Sequence, residues 1–306
     1  MNEIETLLLS LIEIPSVSGQ EQDVANFILT QLSGLNVQKQ EVSKGRYNII
    51  VRKGISKKWL VAHMDTVPGT VAVHITEDKI FGRGACDNKQ SIAASILLVR
   101  ELKNINLLLT VGEEEDLIGA RKACDDNVCK DAELVIVQEP TRFEIITGQC
   151  GIIAFSVNTY GKEQHSSLHD MDNAIHKLTG ILGVLESKKW NAFNVGVISG
   201  GTVHNVVPSS ASAKILVRPK DMNERQAILT TLKDFTEINM ETDIVPHNGS
   251  CKFPEKIARH FSEMAFFENS IQFGAGDIRD AHTANEYILR KDLNELVGRL
   301  KELLQA

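Results

Sequence analysis

Imidazoles and carboxylates stand at His63, Asp65, Asp87, Glu113, Glu114, Glu139 and His282, and most of them follow apolar runs of strand length. Laid out in one dimension, this is what a two-metal hydrolase site would look like. Two divalent ions need about six to eight protein ligand atoms, one carboxylate able to bridge, and a free carboxylate to move protons. The set contains each of these.

Taken singly, every member has a second meaning. His63-Met64-Asp65 offers an imidazole with a carboxylate placed to fix its tautomer, yet such pairs also arise by chance. Gly82-Arg83-Gly84-Ala85-Cys86-Asp87 sets a carboxylate after a glycine-rich turn where close backbone approach is easy; it lacks the lysine spacing of a phosphate loop. Four adjacent carboxylates, Glu113 to Asp116, repel one another unless a cation sits among them. They also read as an acidic turn capping a helix that begins near Leu117. Glu139-Pro140 ends a strand, and a lone His282 after a glycine turn has an ordinary structural reading. His74, His169 and His176 are taken as structural.

The elements that must position these residues are legible from apolar spacing. Tyr47 to Val51, Trp59 to Ala62, Leu107 to Val111 and Leu134 to Val137 read as strands, while Ser91 to Leu102 and the N-terminal stretch read as helices. That mixture predicts an α/β domain with a mainly parallel sheet, whose ligands gather beyond the carboxyl ends of the strands. His63, Glu113 and Glu139 then share one rim. Further on, strand Ile152 to Tyr160, helix Asn173 to Glu186, strands Phe193 to Ile198 and Ala211 to Val217, helix Asn223 to Phe235 and strand Ile238 to Val245 follow one another. This βαββαβ order builds a four-stranded antiparallel sheet with two helices on one face. Its edge strand is open to pairing with a second copy. The chain returns to the first domain and ends in a helix, Lys291 to Leu304. The expected division is 1–149 and 249–306 for the first domain, with 150–248 inserted.

Composition narrows the function classes. With 306 residues, 24% of them charged, and a net charge of -7, the chain suits a two-domain globular protein and disfavours nucleic acid or an anionic membrane as partner. No apolar run approaches the ~20 residues that span a bilayer. The first twelve residues carry Glu3 and Glu5 and helical apolar spacing rather than a signal peptide, so a cytoplasmic location is expected. Five scattered cysteines without a CxxC pair are read as free thiols.

Together these residues make the chain resemble the M20 peptidase family of metallohydrolases, in particular its acetylornithine deacetylase, succinyl-diaminopimelate desuccinylase and acetyl-lysine deacetylase branch. The likeness rests on Ile14-Pro15-Ser16-Val17-Ser18-Gly19, His63 to Pro68, Gly82 to Asp87, Gly112-Glu113-Glu114 with Gly119-Ala120-Arg121, Glu139-Pro140-Thr141, and Gly276-Asp277 with His282. It implies a catalytic domain carrying an inserted lid and dimerisation domain. It also implies His63 and Glu139 on one metal, Glu114 and His282 on the other, and Asp87 bridging both. Asp65 would steady the His63 ring, Glu113 would be the general acid and base, and the peptide bond after Asp87 would be cis. Were the acidic run to slip by one residue, Glu114 would be the base and Glu115 the ligand. His165 is similar to a lid histidine that polarises the scissile carbonyl in a partner subunit, and Asn205 and Arg218 resemble residues that hold the substrate's polar groups and α-carboxylate.

The resemblance implies a homodimeric amidohydrolase with two divalent ions, zinc first and cobalt or manganese as alternatives. Its substrate would be an N-acyl amino acid such as N-acetyl-ornithine or N-acetyl-lysine, in arginine or lysine biosynthesis. A dipeptidase or carboxypeptidase, or a non-catalytic metal-binding relative, is the alternative. Three departures from the family pattern bear on the substrate pocket. Gln90 stands in place of glycine, Ala275 stands in place of proline, and the Lys252 to Phe273 stretch is short.

Overall fold

The computed structural model describes residues 1–168, 171–249 and 253–305. His169 and Cys251 therefore lie outside the described residues. By internal contacts the chain divides into Met1–Thr147 with Gly249–Lys256 and Ser262–Ala306, and Gly148–Asn248 with Ile257–Phe261. The inserted unit thus begins slightly before residue 150 and takes in a short segment of the returning chain.

In the first unit a six-stranded sheet runs in the order Val37–Ser43, Arg46–Lys53, Ile105–Thr110, Lys58–His63, Leu134–Val137, Ser270–Gln272. The last four strands are mutually parallel, and the first two form an antiparallel hairpin that pairs antiparallel with Ile105–Thr110. Ile105–Thr110 is buried along its whole length, as expected of a strand covered on both faces. Successive side chains point to opposite faces. Leu107 and Leu109 join Leu60 and Ile136 beneath Leu8, Leu11, Ile96 and Leu296 of the helices Glu3–Ile12, Lys89–Glu101 and Arg290–Gln305. Leu108 joins Val61 and Val135 beneath Ala120 and Ala123 of the helix Ile118–Asp125. The Val37–Ser43 strand and the helix Gln22–Gln31 escaped the sequence reading. The strand, Val-Gln-Lys-Gln-Glu-Val-Ser, buries only Gln40, so its apolar pattern is too thin to be read.

In the inserted unit, four antiparallel strands lie in the order Phe193–Gly200, Ser210–Val217, Ile152–Tyr160, Ile238–Ile244. Ile153, Phe155 and Val157 alternate inward and meet Leu178, Leu185, Ile228 and Leu232 of the helices Ala174–Ser187 and Met222–Leu232. Each helix starts at a side-chain cap: Asn173 accepts from the His176 N–H and Asp221 from the Glu224 N–H. This is the βαββαβ arrangement read from the sequence. Among the described residues no helix is long and apolar enough to cross a membrane, and Cys86, Cys124, Cys129 and Cys150 are free thiols.

Candidate metal centre

The parallel strands deliver three of the predicted groups to one rim. His63 is the last residue of its strand, paired with Thr110 on the next. Beyond Thr110 the chain turns at Gly112, whose φ of 72° is in the left-handed region that glycine enters without steric cost. A Cβ there would also lie 2.8 Å from Arg46 Nη2. The turn presents Glu113 and Glu114. Glu139 follows Leu134–Val137, and Gly274 packs so closely on its backbone that a Cβ would stand 2.5 Å from the Glu139 carbonyl oxygen. Asp87 precedes the helix Lys89–Glu101 across a cis Asp87–Asn88 bond. Asn88 Nδ2 donates to the Gln138 carbonyl, tying this turn to the Glu139 strand end.

Two three-residue groups result, His63, Asp87, Glu139 and Asp87, Glu114, His282, each with ligand atoms all within 4.8 Å of one another, and Asp87 belongs to both. His63 Nε2 lies 3.0 Å from Asp87 Oδ1, and His282 Nε2 lies 3.4 Å from Asp87 Oδ2 and 2.8 Å from Glu114 Oε1. Glu115 is exposed and belongs to neither group. Asp65 acts in a way the sequence did not suggest. The His63 Nδ1 bonds the Asp65 backbone carbonyl at 2.9 Å, and the carboxylate is 3.6 Å away. That carboxylate also accepts from Ser18 Oγ at 2.7 Å and from the Glu113 and Glu114 N–H groups at 3.0 and 3.1 Å. It shapes the acidic turn.

The electrostatics explain why so many acids share one place. Burial, with Glu139 and Glu114 nearby and only His63 opposing, pushes the Glu113 carboxyl well above its ordinary range. Burial and Asp87 do the same to Glu139, whose Oε1 is buried without a hydrogen-bond partner. Burial works against charge on Asp87, yet hydrogen bonds from His282 and His63 hold its pKa below the usual value. Asp87 and Glu114 in turn raise His282 to about 10, and the Asp65 and Asp87 carboxylates overcome burial to raise His63. Clustered buried carboxylates cannot all ionise unless cations join them. An orphaned buried carboxylate oxygen, two imidazole nitrogens and a shared carboxylate fit a pair of divalent ions.

Sequence reasoning missed two further acids here. Glu263, on a short 3-10 turn, is buried and its pKa is pushed up to about 7 by that burial against the pull of His63 and a Thr110 hydrogen bond. Glu286 is fully buried beside Asp87. Neither sits at the end of an apolar strand, on a glycine-rich turn or in one of the motifs that carried the resemblance.

His165, Asn205 and Arg218 belong to the inserted unit. His165 pairs with Val206 in a two-residue ladder. Its Nδ1 accepts the Ser167 N–H at 3.2 Å and lies 2.8 Å from Ser167 Oγ, which leaves the ring proton on Nε2 as an outward donor. Asn205 is exposed, and its carbonyl accepts the Ser166 N–H at 3.2 Å. Arg218 is half-buried, with an Nη1 that is shielded from solvent and meets no hydrogen-bond acceptor.

Comparison with known proteins places this architecture. The peptidase dimerisation domain profile matches residues 147–241. A peptidase M20 domain-containing protein of Schizosaccharomyces pombe is 30% identical over 96% of this chain and 82% of its own length. A probable carboxypeptidase of Aspergillus clavatus is 30% identical over 78% and 68% respectively. Among solved structures, a tripeptidase from Staphylococcus aureus superposes with a TM-score of 0.85 at 20% identity, covering 99% of this chain and 97% of that one. An M20 family metallo-carboxypeptidase from Sulfolobus solfataricus gives 0.78 at 18% identity, covering 100% and 99%. Fold and site together define a metal-dependent hydrolase acting on amide bonds. The extent of the match to the Schizosaccharomyces pombe protein shows that the chain belongs to the M20 peptidase family.

Proposed function

We propose that this chain is a two-metal peptidase that cleaves the amide bond next to a free carboxylate in short peptides, in the manner of a dipeptidase or carboxypeptidase. The observation that carries it is the pair of ligand groups sharing Asp87, with Glu113 beside them. The names of the similar proteins favour peptides over the acetyl-ornithine or acetyl-lysine expected from sequence. Arg218 supports a carboxylate-bearing substrate, because its unmatched guanidinium N–H suits the two-oxygen fork of a carboxylate.

His63, Glu139, Glu114, His282 and the shared Asp87 would hold the ions. Such ions acidify water and polarise a carbonyl. Glu113 takes the proton from the attacking water and delivers it to the nitrogen as the C–N bond breaks, so one water is consumed and an acid and an amine leave. A carboxyl beside the ligand groups but outside them is placed both to accept and to return a proton. His165 Nε2–H donates to the carbonyl oxygen as negative charge develops there, an interaction that strengthens only toward the transition state. His165→Ala is expected to lower kcat by about 10² to 10³ fold with a small change in KM; steady-state kinetics that split the two constants check it.

The outer strand Phe193–Gly200 carries exposed Val195, Val197 and Ile198 at the open edge of the inserted sheet. Pairing of this edge with a second copy would form the homodimer that a dimerisation domain is suited to, and His165 would then serve the partner's site.

A second reading keeps an N-acyl amino acid as substrate, since it presents the same carboxylate to Arg218. The test compares kcat/KM for dipeptides, N-blocked dipeptides, N-acetyl-ornithine, N-acetyl-lysine and N-succinyl-diaminopimelate. Faster turnover of the peptides is expected; preference for the acetylated amino acids would replace the peptidase reading with the deacylase one.

A further inference from the structure

Asp87 is the ligand on which both ion sites depend, and its backbone turn is held by one residue outside the ligand set. Glu286 is fully buried. Its Oε1 accepts the N–H groups of Cys86 and Asp87, each at 3.0 Å. Its Oε2 pairs with Arg83 Nη1 at 2.6 Å, and its backbone carbonyl accepts the Gly82 N–H at 3.2 Å. Four contacts from one residue thus grip the 82–87 turn at both ends.

The same residue closes the loop that carries His282. Glu286 leads into the strand Tyr287–Leu289, which pairs antiparallel with Lys79–Phe81, Tyr287 opposite Phe81. The two loops therefore leave the end of one short ladder side by side. Arg83 Nη2 donates to the Thr283 carbonyl at 3.3 Å, one residue past His282, and Cys86 Sγ contacts the Asp277 carbonyl at 3.4 Å. By contrast, His63 is held within the ladder of the parallel sheet, and Glu139 follows two residues after the strand Leu134–Val137.

We propose that Glu286, paired with Arg83, is a positioning residue that orients Asp87 and sets its distance from His282, so that it governs the ion site formed by Asp87, Glu114 and His282 more than the one formed by His63, Asp87 and Glu139. The proposal rests on the two-metal reading above. Physically, a carboxylate is the one side chain that accepts two adjacent N–H groups while neutralising a partly buried guanidinium. Outer groups of this kind orient metal ligands, and their loss weakens metal binding about 10- to 100-fold.

The test titrates the chelator-stripped full chain with Zn²⁺ by calorimetry, and with Co²⁺ by visible absorption as a second readout. Wild type is expected to take up two ions in two resolvable steps; uptake of fewer would sink the two-metal reading itself and is seen before any variant is made. Glu286→Ala is expected to leave one step within about threefold and to weaken the other about 10- to 100-fold. Glu286→Gln keeps an oxygen for the two N–H groups and loses the charge facing Arg83, so a smaller loss in the same step is expected. Should Glu286→Ala not fold, Glu286→Gln decides alone. Wild-type affinity at both steps in Glu286→Gln and in any folded Glu286→Ala, or equal weakening of the two steps, overturns the proposal.

Discussion

Glu113→Gln is expected to abolish turnover while both ions stay bound. The change is isosteric and leaves the backbone N–H of residue 113 on the Asp65 carboxylate, 3.0 Å away, so the acidic turn keeps its shape. What disappears is a buried carboxyl that lies beside the ligand groups and belongs to neither. An amide cannot accept and return a proton near neutral pH, and loss of a general acid and base costs about 10² to 10⁴ in rate. The check is kcat on the preferred peptide together with metal content of the purified variant. Full metal with activity down by that factor supports the assignment. Undiminished kcat would move the proton carrier to Glu114 and the ligand role to Glu115, although Glu115 is exposed and outside both groups.

Asp87→Ala is the second large effect, and it separates metal loss from proton-transfer loss. Asp87 is common to both ligand groups, so alanine there weakens both sites at once. The His63 and His282 nitrogens lose the carboxylate that lies 3.0 and 3.4 Å from them, while Glu113, Glu114 and Glu139 remain close together with less positive charge to offset them. Removing several kcal/mol of transition-state charge stabilisation corresponds to about 10³ fold or more in rate. Activity is expected to fall to background and not to return on adding Zn²⁺. Ligands that bind only the folded state raise its stability, so Zn²⁺ should raise the Tm of wild type and leave that of Asp87→Ala unmoved. A Zn²⁺-dependent rise in the variant equal to wild type would show that Asp87 does not bridge.

The legible part of the site followed a simple rule. His63, Glu113, Glu114 and Glu139 come directly after runs such as Leu134-Val135-Ile136-Val137, and a parallel sheet brings the ends of such runs to one edge whatever the loops do. Asp87 and His282 were harder, since each sits on a turn and gains meaning only in company. For Asp65 the sequence offered only a place beside the His63 ring, and the second role of its carboxylate escaped. Its partners are backbone N–H groups of residues 48 and 49 positions further on, and every residue type supplies a backbone N–H, so no pattern marks them. Glu286 is more extreme, 199 residues from the Asp87 amide that it holds.

Alternation and periodicity within a few residues determined most of the larger elements, because burial repeats every two residues in a strand and every 3.6 in a helix whatever the rest of the chain does. They also determined the insertion of a βαββαβ unit and the identity of the groups able to bind metal, which is a matter of side-chain chemistry alone. Only the tertiary structure decided which acids lose water, which lie within 4.8 Å of a shared partner, and which buried carboxylate grips the bridging turn. Those depend on distances between residues far apart in the chain, and such distances are set by packing the whole core rather than by any local preference.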